Sequence, residues 1–478
     1  MAGTWIDVAE ALGADLHLEL TGSGSRRAVL MRALREAVSS GRLAPGTRLP
    51  PYRSLAADLG IARNTVADAY AELVAEGWLT ARQGSGTRVA ERVAPLSPRG
   101  PAVVGPGSTE GPGGPARGAG VRFDLVQGKP DPSSFPRTAW LASARRALAV
   151  APAEAFGPGD PRGRVELRRA LAGYLARVRG VRTAPERIVV CSGTAHALRL
   201  LARVVGGRWS VEAYGLPFHR SLLAEAGVAT VPVGVDEEGA RVGEVRGRAV
   251  LLTPAHQFPT GGPLGPERRA AVVAWAGRSG GLVLEDDYDG EFRYDRQPVG
   301  AVQALSPERV VLMGSVSKSL GTALRLGWMV LPEEWVDEVV AAKGAREQYA
   351  SVVDQLTLAD FVESGAYDRH VRRMRQGYRR RRDVLVGALA ERVRVPGARV
   401  TGIAAGLHAV VELPAGSEGR VVELAAARGL AVEGLGAFRH PAAVGVGPDG
   451  LVVGYATPPE YLYAEAVDVL CDVLREAL

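Results

Sequence analysis

The 478-residue sequence is nearly free of lysine: of its 58 basic residues, only Lys129, Lys318 and Lys343 are not arginine. Where a bare positive charge suffices this chain uses arginine, so a retained lysine is a candidate for work a guanidinium cannot do, Schiff-base formation above all. Cysteine is as scarce. Cys191 and Cys471 form neither a spacing framework nor a metal pattern, which excludes a disulfide-built fold and fits a reducing, cytoplasmic setting. No apolar run is long enough to span a bilayer, and the first residues lack the basic-then-apolar order of a secretion signal. What is abundant is hydrophobic side chain, 46% of residues, over a length that calls for two or three domains.

Positive charge is concentrated. Residues 26 to 92 hold eleven arginines against six acids, a balance of +5 out of a net +6, while residues 1 to 25 hold four acids and no base. Such a footprint suits a polyanionic partner. Within it Val29, Leu30, Ala33, Leu34, Ala37 and Val38 recur at helical spacing and predict a helix from Arg26 to Ser40, stopped by Gly41. Pro45, Gly46, Pro50 and Pro51 force an extended connector. Ser54 can cap a short helix to Leu59, and after a three-residue turn a second runs from about Arg63 to Glu76.

Two helices joined so tightly form a helix-turn-helix, whose second helix would lie in a DNA major groove. Arg63, Asn64 and Thr65 open that helix, where side chains reach base edges. Leu79 to Arg82 and Thr87 to Val89 flank Gln83-Gly84-Ser85-Gly86 and read as a two-stranded wing, with Arg53, Arg82 and Arg88 placed to meet phosphates and Gly84 in the wing turn. On pattern alone, a small helical packing module with a solvated basic face fits as well. The runs Ser40-Gly-Arg-Leu-Ala-Pro-Gly-Thr-Arg-Leu-Pro, Arg53-Ser-Leu-Ala-Ala-Asp-Leu-Gly, Arg63-Asn-Thr-Val and Gly84-Ser-Gly-Thr resemble the winged-helix domain of GntR-type bacterial regulators, and that resemblance implies double-stranded operator DNA as partner. The DNA-binding domain is expected over residues 1–92.

From Ala94 to Gly120, 27 residues contain six prolines and eight glycines, too little apolar surface to fold. Residues 93–121 are expected to be a flexible linker whose ends lie about 30 Å apart.

Beyond it, Ile188 to Val190, Ala249 to Thr253, Leu282 to Glu285, Val310 to Met313 and Trp328 to Leu331 are short apolar runs alternating with helical stretches. They predict an α/β domain with a mainly parallel sheet and helices on both faces, whose ligands gather at the strands' carboxyl ends. The polar residues fall there. Ser192, Gly193 and Thr194 follow the first strand and open a helix whose N–H groups can receive an anion. His256 and Gln257 follow the second, Asp286 and Tyr288 end the third, and Ser315, Ser317, Lys318 and Arg325 follow the fourth. An anion cradle, a carboxylate, a tyrosine and a lysine among hydroxyls match what pyridoxal 5'-phosphate requires for its phosphate, ring nitrogen, ring hydroxyl and aldehyde.

Residues 122–478 resemble a fold-type I aminotransferase, with a smaller C-terminal α+β subdomain from about residue 360. The resemblance implies that Lys318 holds the cofactor covalently, Asp286 pairs with its ring nitrogen and Tyr288 bonds its ring hydroxyl. Ser315, Ser317, Arg325 and Ser192 to Thr194 would bind phosphate, and either Gln257 or His256 would serve beside the ring. A GntR-type winged helix joined by a linker to such a domain is similar to the MocR subfamily. That implies a pyridoxal-phosphate-dependent transcription regulator, a head-to-tail homodimer that senses the cofactor or an amino compound reacting with it and governs vitamin B6 or amino-acid metabolism genes. The alternative is an active aminotransferase with an auxiliary DNA-binding arm.

The pattern departs in places. The subfamily's Glu-x-Pro-Gly-Tyr stretch reads Glu212-Ala213-Tyr214-Gly215-Leu216, so a ring-stacking tyrosine is missing unless Tyr214 or Phe218 replaces it. The strand Leu451 to Tyr455 lacks the arginine that clamps a substrate carboxylate, Arg439 being the nearest candidate, which points to sensing with little or no turnover. Arg372, Arg373, Arg375 and Arg379 to Arg382 must wrap around a helix and read mainly as solvated surface, with contact to DNA phosphates as the alternative.

Overall fold

The computed structural model describes residues 24–82, 86–90, 120–294, 299–344 and 350–478. The acid-rich first segment, Gly84, the linker up to residue 119 and the side chain of Arg82 lie outside the described residues. The chain divides into two compact units, Met1–Gly105 and Pro106–Leu478.

In the first unit, α1 (Arg26–Ser39) begins where the Ser25 hydroxyl accepts the Ala28 N–H. It packs Leu30 and Leu34 against α2 (Tyr52–Leu59) and α3 (Arg63–Ala75), whose Leu55, Val66 and Leu73 complete the core. Each such leucine contributes about 2 kcal/mol by leaving water. The expected Ser54 cap is incorrect. Pro51 precedes the first turn of α2, whose fixed φ suits that position, and Ser54 lies inside the helix. Gly60 closes α2 at φ 64°. The Tyr70 hydroxyl donates to the Pro50 carbonyl at 3.0 Å and ties α3 to the proline connector. Strands β1 (Leu79–Arg82) and β2 (Gly86–Val89) pair antiparallel, with Leu79 opposite Val89 and Arg82 opposite Gly86.

The second unit opens with β3 (Phe123–Asp124), and helix α4 (Val165–Arg179) comes just ahead of its main sheet. Its main sheet uses β4 (Ile188–Cys191), β5 (Arg208–Glu212), β6 (Ala229–Val233), β9 (Ala249–Leu252), β10 (Leu282–Asp286), β11 (Val310–Ser315) and β12 (Gly327–Val330). The short hairpin β7 (Val235–Asp236) and β8 (Gly239–Ala240) stands apart. Sheet order is β4-β12-β11-β10-β9-β5-β6, parallel except for β12, which is antiparallel to both neighbours. Two strands escaped the sequence pattern. β5 carries Arg208 and Ser210 among its apolar residues, and β6 contains Pro232, tolerated because β6 is the sheet edge.

Helices α5 (Thr194–Val205) and α6 (Pro217–Glu225) follow β4 and β5. The 27-residue α7 (Ala366–Arg392) leads to an antiparallel sheet of β13 (Arg399–Thr401), β14 (His408–Glu412), β17 (Gly450–Gly454) and β16 (Glu433–Gly434). Next to it β15 (Leu430–Ala431) pairs with β3, so the first described strand of this unit is built into its C-terminal part.

Lys343 shows what one retained lysine does. It is buried at 3% exposure, and its Nζ donates to the carbonyls of Pro161 and Val190 at 2.5 and 2.8 Å. A compact ammonium on a thin stem reaches this two-carbonyl slot, where a planar fork is the wrong shape. Lys343→Met strands both acceptors and is expected to lower unfolding stability by roughly 3 kcal/mol, read as a fall in chemical denaturation midpoint. An unchanged midpoint would show that the two bonds contribute nothing net.

Candidate functional site

The carboxyl ends of β4, β5, β9, β10 and β11 open onto one cavity of about 220 Å³. Asp286 enters as the last residue of β10, and Lys318 from the turn after β11. Opposite stands Gly128, whose carbonyl accepts a hydrogen bond from Lys318 Nζ. A Cβ at residue 128 would sit 3.2 Å from that nitrogen, and its φ of +90° disfavours any side chain, so this wall is glycine for reasons of space and conformation.

Burial dominates the electrostatics. It pushes the Asp286 carboxyl up to about 7, reinforced by the neighbouring Asp287, Asp289 and Glu212 and opposed by Lys318. The same desolvation lowers the pKa of Lys318, against the pull of Asp286 and Asp289. Asp286 is 4% exposed, and its Oδ1 has no hydrogen-bond partner among the described residues. A buried carboxylate oxygen without a donor is costly, which marks the position as built to meet one. Glu212 is likewise raised by burial to about 7, while its Oε2 accepts the Thr253 hydroxyl at 2.6 Å and the Thr253 N–H at 3.2 Å.

Tyr288 also lines the cavity. Behind it His256 Nδ1 lies 3.1 Å from the tyrosine oxygen and 2.7 Å from Asp289 Oδ2, with histidine and aspartate both buried. His256 is therefore a support for Tyr288. Neither His256 nor Gln257, expected beside the cofactor ring, is among the residues that line the cavity, whereas Phe258 is. Gln257 is spent inside its own loop, donating to the carbonyls of Tyr214 and Phe258 at 3.0 and 2.6 Å and accepting from Thr260. Phe258 stands edge-on to Tyr288 at 5.9 Å and to His408 at 5.1 Å.

At the other end, Gly193 (φ 104°) precedes α5, whose first N–H groups, on Thr194 and Ala195, have no carbonyl within the helix to bond. Thr194, Ser315, Ser317 and Arg325 line the cavity beside them. Arg325 has φ 50°, the one positive φ of a non-glycine among the described residues, and such strain concentrates at functional positions. Ser192, expected in the anion cradle, does not line the cavity, and its N–H goes to His196 Nδ1 at 3.2 Å.

Of the departures, Leu216 faces the cavity with Tyr214 and Phe218. His219, which sequence reasoning missed, joins them from α6; burial, then Lys318 and Arg220, lowers its pKa to about 4, so the imidazole is neutral at pH 7. Helical spacing after Pro217 could have flagged it. Arg439 is no clamp: its guanidinium donates to the carbonyls of Ala443, Val444 and Gly445 and lies outside the cavity lining. The arginine cluster on α7 is not uniformly solvated. Arg381 is 7% exposed, bonding Glu460 at 2.7 Å and the Pro458 carbonyl at 2.8 Å, because that face of the helix meets the C-terminal region.

In the first unit, Arg53, Arg63 and Asn64 are exposed and Thr65 is half-buried. The Arg63 guanidinium stacks over the Tyr52 ring at 5.2 Å, an arrangement that stiffens the arginine at the opening of α3. Arg88 donates to the Gly46 carbonyl at 2.9 Å. Arg48, also missed, lies against Gly86 of β2.

Comparison with known proteins agrees with this division. Residues 27–89 match the family "Bacterial regulatory proteins, gntR family", and residues 124–444 match "Aminotransferase class I and II". The chain is 33% identical over 436 residues to the HTH-type pyridoxine biosynthesis transcriptional regulator PdxR of Corynebacterium glutamicum, covering 90% of this chain and 92% of that one. It is 35% identical to the probable rhizopine catabolism regulatory protein MocR of Rhizobium meliloti, over 75% and 76%. Among solved structures, an archaeal alanine:glyoxylate aminotransferase matches 74% of this chain and 91% of its own at TM-score 0.67 and 25% identity. The α-aminoadipate aminotransferase LysN of Thermus thermophilus, at 24% identity and TM-score 0.66 over 75% and 93%, shares the fold. A gntR-type reading head and a fold-type I aminotransferase domain in one polypeptide place this chain in the MocR-type family of GntR regulators.

Proposed function

We propose that the chain is a DNA-binding transcription regulator whose large domain takes up pyridoxal 5'-phosphate as sensor. The observation that carries this is the unpartnered Asp286 Oδ1, buried in the same cavity as Lys318 and the opening of α5. The residues fit the cofactor: a protonated ring nitrogen supplies the donor Asp286 lacks, and α5, Ser315, Ser317 and Arg325 suit a phosphate. When bound, the cofactor supplies an aldehyde for a primary amine and an electron-withdrawing ring. The protein's part is to lower the proton affinity of the Lys318 amine by burial, to hold Tyr288 through His256 and Asp289, and to exclude water behind Phe258 and Leu216.

Sensing is favoured over turnover by the arginines. Of the two that line the cavity, Arg325 stands at the anion end, and Arg220 is committed to the carbonyls of Gly215, Phe438 and Arg439. No guanidinium is left for a substrate carboxylate among the described lining residues. We place DNA binding in residues 1–92, the tether in 93–121 and sensing in 122–478, in a cytoplasmic head-to-tail homodimer. The similarity to a pyridoxine biosynthesis regulator supports vitamin B6 genes as targets.

Titrating the full chain onto DNA from upstream of its own gene, with and without pyridoxal phosphate, is expected to shift the apparent Kd at least about fivefold, the low end of ordinary coupling. Identical curves, with the cofactor visibly bound, would rule out sensing. Robust transamination abolished by Lys318→Ala would favour the enzyme reading.

A further inference from the structure

A second concavity, sharing no lining residue with the first, lies between α4, the loop after Tyr288 and the first turns of α7; at about 570 Å³ it is the roomier of the two. Its walls are dominated by arginine: Arg177 and Arg179 from α4, Arg293 from the loop, and Arg369, Arg372 and Arg375 from α7, against Glu291 and Asp368. Some of this charge is spent. Arg177 pairs with Asp368 at 2.8 Å and Arg179 with Asp287 at 2.7 Å.

The three arginines of α7 are not neutralised. Arg375 donates to the backbone carbonyl of Glu291 at 2.9 and 2.6 Å, Arg369 reaches only the Ser364 carbonyl at 3.4 Å, and Arg372 has no hydrogen-bond or ionic partner among the described residues. Arg369 and Arg372 are exposed, three residues apart on one helix, where like charges repel. The Glu291 carboxyl does little to offset them. It accepts the Tyr174 and Tyr367 hydroxyls at 2.7 and 2.9 Å, and burial raises it to about 7, leaving it partly protonated at neutral pH.

We propose that this basin binds a compact anion bearing two or more phosphoryl groups, held by the forks of Arg369 and Arg372 with the charge of Arg375 beside them. Guanidinium forks match phosphoryl oxygens two at a time, and a depression of this size encloses a small polyanion, whereas a duplex backbone needs an open surface. The basin also reaches toward the other site. The Tyr367 hydroxyl that bonds Glu291 lies 2.7 Å from the Ser319 hydroxyl, and Ser319 follows Lys318.

The test is calorimetric titration of inorganic pyrophosphate into the full chain at low salt. The pair Arg369→Ala/Arg372→Ala is expected to weaken binding at least tenfold, while Arg203→Ala, exposed on α5 and lining neither cavity, leaves it in place. Because Arg369 and Arg372 are exposed, the pair should melt at the wild-type temperature, which a thermal scan verifies. Equal pyrophosphate affinity in the pair and the wild type overturns the proposal. So does a pair that loses affinity for a random DNA duplex but not for pyrophosphate, since DNA would then be the occupant.

Discussion

Lys318→Ala is expected to abolish stable uptake of pyridoxal phosphate: after gel filtration the variant should be colourless and borohydride should fix no label, while the wild type should keep both. Losing a covalent anchor is expected to weaken retention by at least about 100-fold, or about 2.7 kcal/mol. The other lysines cannot substitute. Lys343 is enclosed with two carbonyls on its nitrogen, and Lys129 is exposed and outside the cavity lining. The large effect rests on the environment of Lys318, since burial keeps its amine poorer in protons than a surface lysine and therefore more nucleophilic. DNA binding by the cofactor-free variant should match that of the cofactor-free wild type. Undiminished label in Lys318→Ala would move the chemistry elsewhere.

Arg63→Ala is expected to act on the other unit alone. An arginine reading a base edge contributes about 1–3 kcal/mol of discrimination, so affinity for a duplex selected from a random library should fall roughly 5- to 150-fold, with cofactor uptake unchanged. Binding to unselected DNA should hardly change, because phosphate contacts supply that part. Tyr52→Ala, which removes the ring under the guanidinium, should give a smaller loss in the same direction. Equal affinity of Arg63→Ala and wild type for the selected duplex would take base reading away from the start of α3.

Much of this was legible in the residues because strand, turn and helix each left a short-range mark. Five strands of the main sheet are continuous apolar runs, and the polar residues at their carboxyl ends fall in the order the cavity uses them. Hydrogen bonding was not legible. Gln257, Ser192 and Arg439 have the chemistry for a ligand, but neighbouring carbonyls, an imidazole or a loop occupy them, and those partners come from segments distant in sequence or from turns no periodicity announces. Phe258 and His219 were missed for the opposite reason, since an aromatic beside a proline and a histidine on a short helix have ordinary packing readings. Arg381 shows the limit of composition: four adjacent arginines point in four directions, and one of those directions is inward.

The enclosure of Lys343 has a practical side. With one lysine shut away and one in the open, amine-directed reagents applied to the folded chain have Lys129 as the one ready lysine competitor of Lys318. A protease that cuts after lysine but spares the Lys129–Pro130 bond divides the whole polypeptide into three pieces, ending at residues 318, 343 and 478. A reductively fixed pyridoxyl group on Lys318 blocks one cut and fuses the first piece to the second. One mass spectrum of the intact digest would then read out occupancy, with the unfused piece as its internal standard.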